Sequence, residues 1–132
     1  MLGVKKPGTG RILVIDDEPE ITDIIATFLN EAGYDVKTEN TGMSGLEKAK
    51  TFKPDLILLD IMMPFMDGYE VCEELKKINQ TKKTPIVFLT AKDARSDEGR
   101  SFRSGGDMFI KKPFSCERLL EMVKVILMSV NR

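Results

Sequence analysis

Residues 55–60 read DLILLD and run straight into IMMPFMDG at 61–68. The four successive apolar residues from Leu56 to Leu59 have the pattern of a strand buried on both faces, as in a parallel sheet covered by helices. That strand ends on a carboxylate. Asp60 is costly to bury, and no cation stands beside it in the sequence to compensate. Fold and function both turn on what does.

Strand and helix patterns alternate on either side of this stretch. RILVI (11–15) is a short β-branched run that ends at Asp16-Asp17-Glu18-Pro19, where Pro19 and the acids start a helix. Ile21, Ile24, Ile25, Phe28 and Leu29 follow as one apolar stripe, and Gly33 closes the helix. YDVKT (34–38) alternates like a strand with one exposed face, nearer a sheet edge. A second helix runs from Thr41-Gly42 to about Phe52, with Leu46 and Ala49 inward, and Pro54 stops it. A third spans 67–79, with Val71, Leu75 and Ile78 inward. PIVFL (85–89) is again fully apolar. KDARSDEGRSFRS (92–104) is the weakest segment, a poorly anchored fourth helix interrupted by Gly99. DMFI (107–110) is a fifth strand and Lys111 to Phe114 a turn. Ser115 caps a last helix with Leu119, Met122, Val123, Ile126 and Leu127 inward.

A strand–helix unit repeated five times predicts an α/β fold. It is a doubly wound, five-stranded parallel sheet in a three-layer α/β/α sandwich. One domain is expected over 11–130, preceded by a flexible N-terminal arm over 1–10.

The totals narrow the function. The chain has 132 residues, 42% hydrophobic and 31% charged, with a net charge of -1. Mixed charge gives no footprint for nucleic acid or a membrane surface. The N-terminal stretch lacks the apolar core of a signal peptide, and no apolar run is long enough to span a bilayer. Cys72 and Cys116 fall on helical apolar stripes and are expected to be buried thiols, which fits a cytoplasmic setting. Histidine is absent. Imidazole metal sites and Ser-His or Cys-His catalysis are therefore excluded.

In such a sheet, ligands bind beyond the carboxyl ends of the strands, where the strand order reverses. The first strand ends at Asp16 and Asp17, the third at Asp60, the fourth at Thr90, and the fifth just before Lys112. Strand two contributes nothing comparable. Three converging carboxylates repel one another, and a hard divalent cation such as Mg²⁺ relieves that repulsion. With Lys112 and Thr90 added, the set suits a phosphoryl group bridged to a metal, and a carboxylate is the available acceptor. Met62, Met63 and Met66 read as packing or loop residues, because thioethers suit soft metals. Singly, each of these features is an ordinary strand end or helix cap. Together, in order, they form a site.

These residues resemble the receiver domains of bacterial two-component response regulators, of the chemotaxis-regulator type. The resemblance runs from about Arg11 to Met128 and rests on ILVIDDEPEI, DLILLDIMMPFMDGYEV, PIVFLTA and FIKKPF. It implies a flavodoxin-like (βα)5 fold and a phosphoacceptor signalling domain, with self-phosphorylation and self-dephosphorylation chemistry, rather than an enzyme acting on other molecules. Asp60 matches the phosphoacceptor. Asp17 matches the direct Mg²⁺ ligand, Asp16 a ligand acting largely through water, and the Met62 backbone carbonyl the third protein ligand. Thr90 matches the switch hydroxyl and Phe109 the switch aromatic, often Tyr in the family. Lys112 matches the ion-pairing lysine, and its bond to Pro113 is expected to be cis. The implied partner is a sensor histidine kinase or a histidine phosphotransfer protein.

The family's output face is the fourth helix, fifth strand and fifth helix. It acts on an output partner or an output domain lying outside this sequence, and on phosphorylation it supports a homodimer. Gly105-Gly106 departs from the commoner Gly-Ala and is expected to loosen the turn before the fifth strand. Met62 and Lys92 occupy positions that tune dephosphorylation, and Met62 predicts a long-lived aspartyl phosphate. Three rival readings fit these residues less well. An aspartate-nucleophile phosphatase wants an acid where Met62 stands. A flavin protein wants a phosphate loop where Asp16-Asp17-Glu18 would repel one. An inert scaffold has no need of the intact acid set.

Overall fold

Five apolar runs pair into one parallel sheet in the order β2-β1-β3-β4-β5. The strands are β1 (Arg11–Ile15), β2 (Asp35–Glu39), β3 (Leu56–Asp60), β4 (Ile86–Thr90) and β5 (Met108–Lys111). The computed structural model describes residues 10–91, 106 and 108–130. Residues 1–9 of the arm expected over 1–10 and the helix expected over 92–104, with Lys92, lie outside the described residues.

The doubly wound sandwich is the observed architecture. Successive residues of each strand face opposite layers, and this splits the core in two. Ile12, Val14, Leu56, Leu58, Val87, Leu89 and Ile110 pack against α1 (Pro19–Glu31) and the C-terminal helix (Cys116–Val130). Leu13, Ile15, Ile57, Leu59, Ile86 and Phe88 pack against α2 (Gly42–Phe52) and α3 (Gly68–Lys77). β3 is buried along its whole length, and β2 alternates at the edge as its sequence predicts.

Local chemistry sets the helix starts. Thr41 Oγ1 accepts from Ser44 N at 3.0 Å. Asp67 and Glu70 form a reciprocal capping box at 2.9 and 3.0 Å. Ser115 Oγ accepts from Arg118 N at 3.1 Å. α3 stops short of the expected 79. Ile78 is already extended, and the buried Thr81 hydroxyl donates to Leu75 O at 2.6 Å, closing the helix end.

Several expectations need correction. Ile24 is not inward; it is 57% exposed. Periodicity gave the stripe one residue too wide, and Thr22 takes the inward place by donating to Pro19 O and accepting from Asn40 Nδ2. Cys72 is buried, but Cys116 is only partly so, because it begins the C-terminal helix at the rim beside α1. Ile21, Phe28, Ile78 and Met122 are likewise half-buried. β1 lies where it was read, while β2 to β5 each sit one residue later, and β3 runs to Asp60, the carboxylate on which the strand was expected to end. Gly105 lies outside the described residues, and at Gly106 packing calls for glycine. A Cβ there would lie 2.2 Å from Phe88 Cε2, so the large β4 side chain leaves room only for glycine.

Candidate functional site

The strand order reverses between β1 and β3, which puts the residues after β1 beside the end of β3. Asp16 is fully buried, Asp17 half-buried and Glu18 exposed, and their ligand atoms lie within 4.8 Å of one another. Asp60 stands opposite, buried. Lys112 follows β5, and its backbone N–H donates to Thr90 O at 2.7 Å, which ties it to the end of β4. Lys112 Nζ lies 2.7 Å from Asp16 Oδ2, 3.5 Å from Glu18 Oε1 and 3.6 Å from Asp60 Oδ1.

One ammonium thus faces three carboxylates. Burial pushes the Asp60 carboxyl up from 3.8 to about 7, and the Asp16 charge adds to that. Lys112 pulls it back, while a hydrogen bond and the charge of Asp17 raise it further. Burial also pulls the Lys112 ammonium down, but the Asp16 hydrogen bond and the charges of Asp60, Asp16 and Glu18 outweigh this and hold it above the ordinary lysine value. Without a further cation, the pocket resists full ionisation of its acids.

The loop after β3 packs closely against the strand end. Gly68 begins α3 directly against the strand end, where a Cβ would lie 2.3 Å from Asp60 O. Gly68 N donates to Ile61 O at 2.8 Å, which folds 61–68 back over the strand. Met63 is buried and Met66 partly so, while Met62 is exposed. Phe65 is 106% exposed at a φ of 69°, a left-handed conformation that a non-glycine residue adopts at a cost. Thr90 is buried at the end of β4. Phe109 is half-buried against the α2/α3 layer, its ring centroid 6.0 Å from that of Phe88. The Lys112–Pro113 peptide is cis.

The sequence reading missed two residues. Asn40, just past β2, donates from Nδ2 to Asp16 O at 2.7 Å, and Asp16 N donates to Glu39 O at 3.1 Å. Strand two therefore does contribute, by fixing the backbone beneath the acid pair. A lone Asn after an alternating strand carries only a turn signal. The second is Glu18, read as part of a helix start, whose side chain crosses to Lys112. Beside them a cavity of about 450 Å³ is lined by Glu18, Ile24, Lys112 and Cys116 among others.

Residues 12–124 match the family model described as the response regulator receiver domain. The chain belongs to that family. It is 40% identical over 122 residues to the DNA-binding dual master transcriptional regulator RpaA of Synechocystis sp., which covers 92% of this chain and 51% of RpaA. It is 44% identical over 117 residues to the alkaline phosphatase synthesis transcriptional regulatory protein PhoP of Bacillus subtilis, covering 89% and 48%. The chain spans about half the length of these curated relatives.

Among solved structures, it resembles the chemotaxis protein CheY4 of Vibrio cholerae with a TM-score of 0.86 and 30% identity, covering 89% of this chain and 98% of that one. It also resembles the signal receiver domain of a signal transduction histidine kinase from Syntrophus aciditrophicus, with a TM-score of 0.84, 34% identity and 93% of each chain covered. Receiver domains are signalling domains of two-component systems rather than classical enzymes. Among the described residues, no helix is long and apolar enough to cross a membrane.

Proposed function

We propose that Asp60 accepts a phosphoryl group from a phosphohistidine and that the resulting aspartyl phosphate switches the surface of this receiver domain. The observation that carries this reading is Lys112 Nζ, held 2.7 Å from Asp16 and 3.6 Å from Asp60 at the carboxyl edge of the sheet. The sequence contains no histidine, so the donor histidine lies outside it, on a sensor kinase or a histidine phosphotransfer protein. An Asp60 oxygen attacks phosphorus as the phosphorus–nitrogen bond breaks, and the imidazole keeps that electron pair.

The donor set fits Mg²⁺. The carboxylates of Asp16, Asp17 and Asp60 are hard oxygen ligands, and burial, with the Asp16 charge added, raises the Asp60 carboxyl in the absence of a cation. Asp16, Asp17, Asp60 and the Met62 backbone carbonyl would hold the ion, which when bound supplies positive charge to the phosphoryl oxygens. Lys112 supplies a second positive charge from the β5 side. The Thr90 hydroxyl turns toward the phosphoryl group, and Phe109 moves inward behind it. The change passes to the face that β5 and the C-terminal helix present. An output partner, an output domain or a second copy reads that face.

The test is intact-protein mass after incubation with acetyl phosphate. A single phosphoryl adduct is expected in wild type with Mg²⁺, and none in Asp60→Asn or after metal removal. An adduct that persists in Asp60→Asn overturns the assignment.

A further inference from the structure

Glu18 occupies the N-cap position of α1, immediately before Pro19. Ser, Thr, Asp and Asn are favoured there because a short side chain reaches back to the free N–H groups of the first turn. Glu18 makes no such cap hydrogen bond. Its carboxylate spans the site instead, to Lys112 Nζ at 3.5 Å. Its backbone belongs to the site too, because Glu18 N donates to Asp16 Oδ1 at 3.0 Å. A local preference set aside beside a functional group marks a residue with another task.

That task follows from how Lys112 is shared. The ammonium lies nearest Asp16, with Glu18 and Asp60 at about equal distances, 3.5 and 3.6 Å. Asp16 and Glu18 both follow β1, so two of its three carboxylate partners come from the start of α1 and one, Asp60, from the end of β3. Asp16 is rigidly held by Asn40 and Glu39 and by the Glu18 N–H. The Glu18 side chain is 56% exposed, so it can release Lys112 into solvent-accessible space. We propose that Glu18 is a positioning residue that restrains the Lys112 ammonium on the α1 side of the site and thereby slows phosphoryl acceptance by Asp60.

This rests on the reading of Asp60 as the phosphoacceptor. With acetyl phosphate as donor, an Asp60 oxygen forms a bond to phosphorus. The phosphorus–oxygen bond to the acetyl group breaks, acetate leaves with the electron pair, and no proton moves. Negative charge on the phosphoryl oxygens peaks during transfer, and an ammonium already beside them lowers the barrier.

The test measures adduct formation by intact mass at saturating Mg²⁺, over a range of acetyl phosphate concentrations. The variants are Glu18→Gln, Glu18→Asp and Glu20→Gln. Glu20→Gln makes the same charge change in the first turn of α1. Glu18→Asp keeps the charge but shortens the arm, and its carboxylate turns onto the first-turn N–H groups. Both Glu18 variants should raise the maximal rate about threefold, the change that a partly exposed ion pair commands, with half-saturation unmoved. Glu20→Gln should stay within about 1.5-fold of wild type, as expected of an exposed charge outside the site.

Equal acceleration in both Gln variants with Glu18→Asp at the wild-type rate would reduce Glu18 to a remote charge and overturn the proposal. Unchanged or slower rates in the Glu18 variants overturn it as well. A wild-type chain that forms no adduct overturns the phosphoacceptor reading itself, an outcome distinct from both.

Discussion

The two ends of the sheet treat their polar groups differently. At the amino edge each is met by a local partner. Arg11 N donates to Asp55 Oδ2 at 2.8 Å, the Thr81 hydroxyl to Leu75 O at 2.6 Å, and Lys76 Nζ to Thr84 O at 2.7 Å. At the carboxyl edge one ammonium is divided among Asp16, Glu18 and Asp60, and the Asp60 carboxyl is raised to about 7. One end is arranged for stability. The other holds uncompensated negative charge, which a cation or a phosphoryl group with its metal can relieve.

Substitutions at the two ends should therefore differ in sign, size and pH dependence. The largest effect is expected from Lys112→Met, which leaves buried Asp16 without its cation. Urea unfolding of the metal-free protein should show a loss of about 3 kcal/mol at neutral pH, smaller in acid as the carboxyls protonate. A loss that does not change with pH would dissolve the contrast between the two ends.

Asp60→Asn should act in the opposite direction. The Asp60 pKa is raised in the folded chain, so its favourable contribution is complete below the unfolded value of 3.8 and is lost as pH rises through about 7. At alkaline pH, without metal, the Asn variant should be more stable than wild type by about 2 kcal/mol, roughly half the full linkage because water screens a partly accessible group. Between acid and alkaline pH its stability should vary less than that of wild type. For the same reason Mg²⁺ binding to wild type should weaken as pH falls through about 7 and should release protons, which calorimetry in two buffers would detect.

At the quiet end, Thr81→Val should cost about 1.5 kcal/mol with little pH dependence, because it removes a buried hydrogen bond and leaves Leu75 O with only the longer bond from Ile78 N. Phe65→Gly should give the smallest shift, a gain of about 1 kcal/mol from relief of its left-handed backbone. If that variant loses stability, the exposed ring has a structural contact and the loop is not strained in the way its φ implies.

Much of this was legible in the sequence because it depends on short-range pattern. Apolar runs such as LILL and IVFL announce buried parallel strands, and the acids, Thr90 and Lys112 at their ends announce where a site lies. The rest depends on the relation between segments distant in the chain. Periodicity gives the width of a helical stripe but not its rotation, so Ile24 and Thr22 exchanged places. The need for glycine at 106 is dictated by Phe88 on a neighbouring strand. Asn40 and Glu18 act through single contacts 24 and 94 residues away, which no local motif encodes.

The parallel order has a consequence for the chain as it is made. Asp16 and Lys112 stand 96 residues apart, and synthesis delivers the amino-terminal residues first. Asp16, Asp17 and Asp60 all leave the ribosome before the lysine that offsets part of their charge. β5, an edge strand, brings in the site's own counter-charge last, so until then ions of the surrounding solution are the available partners for these acids.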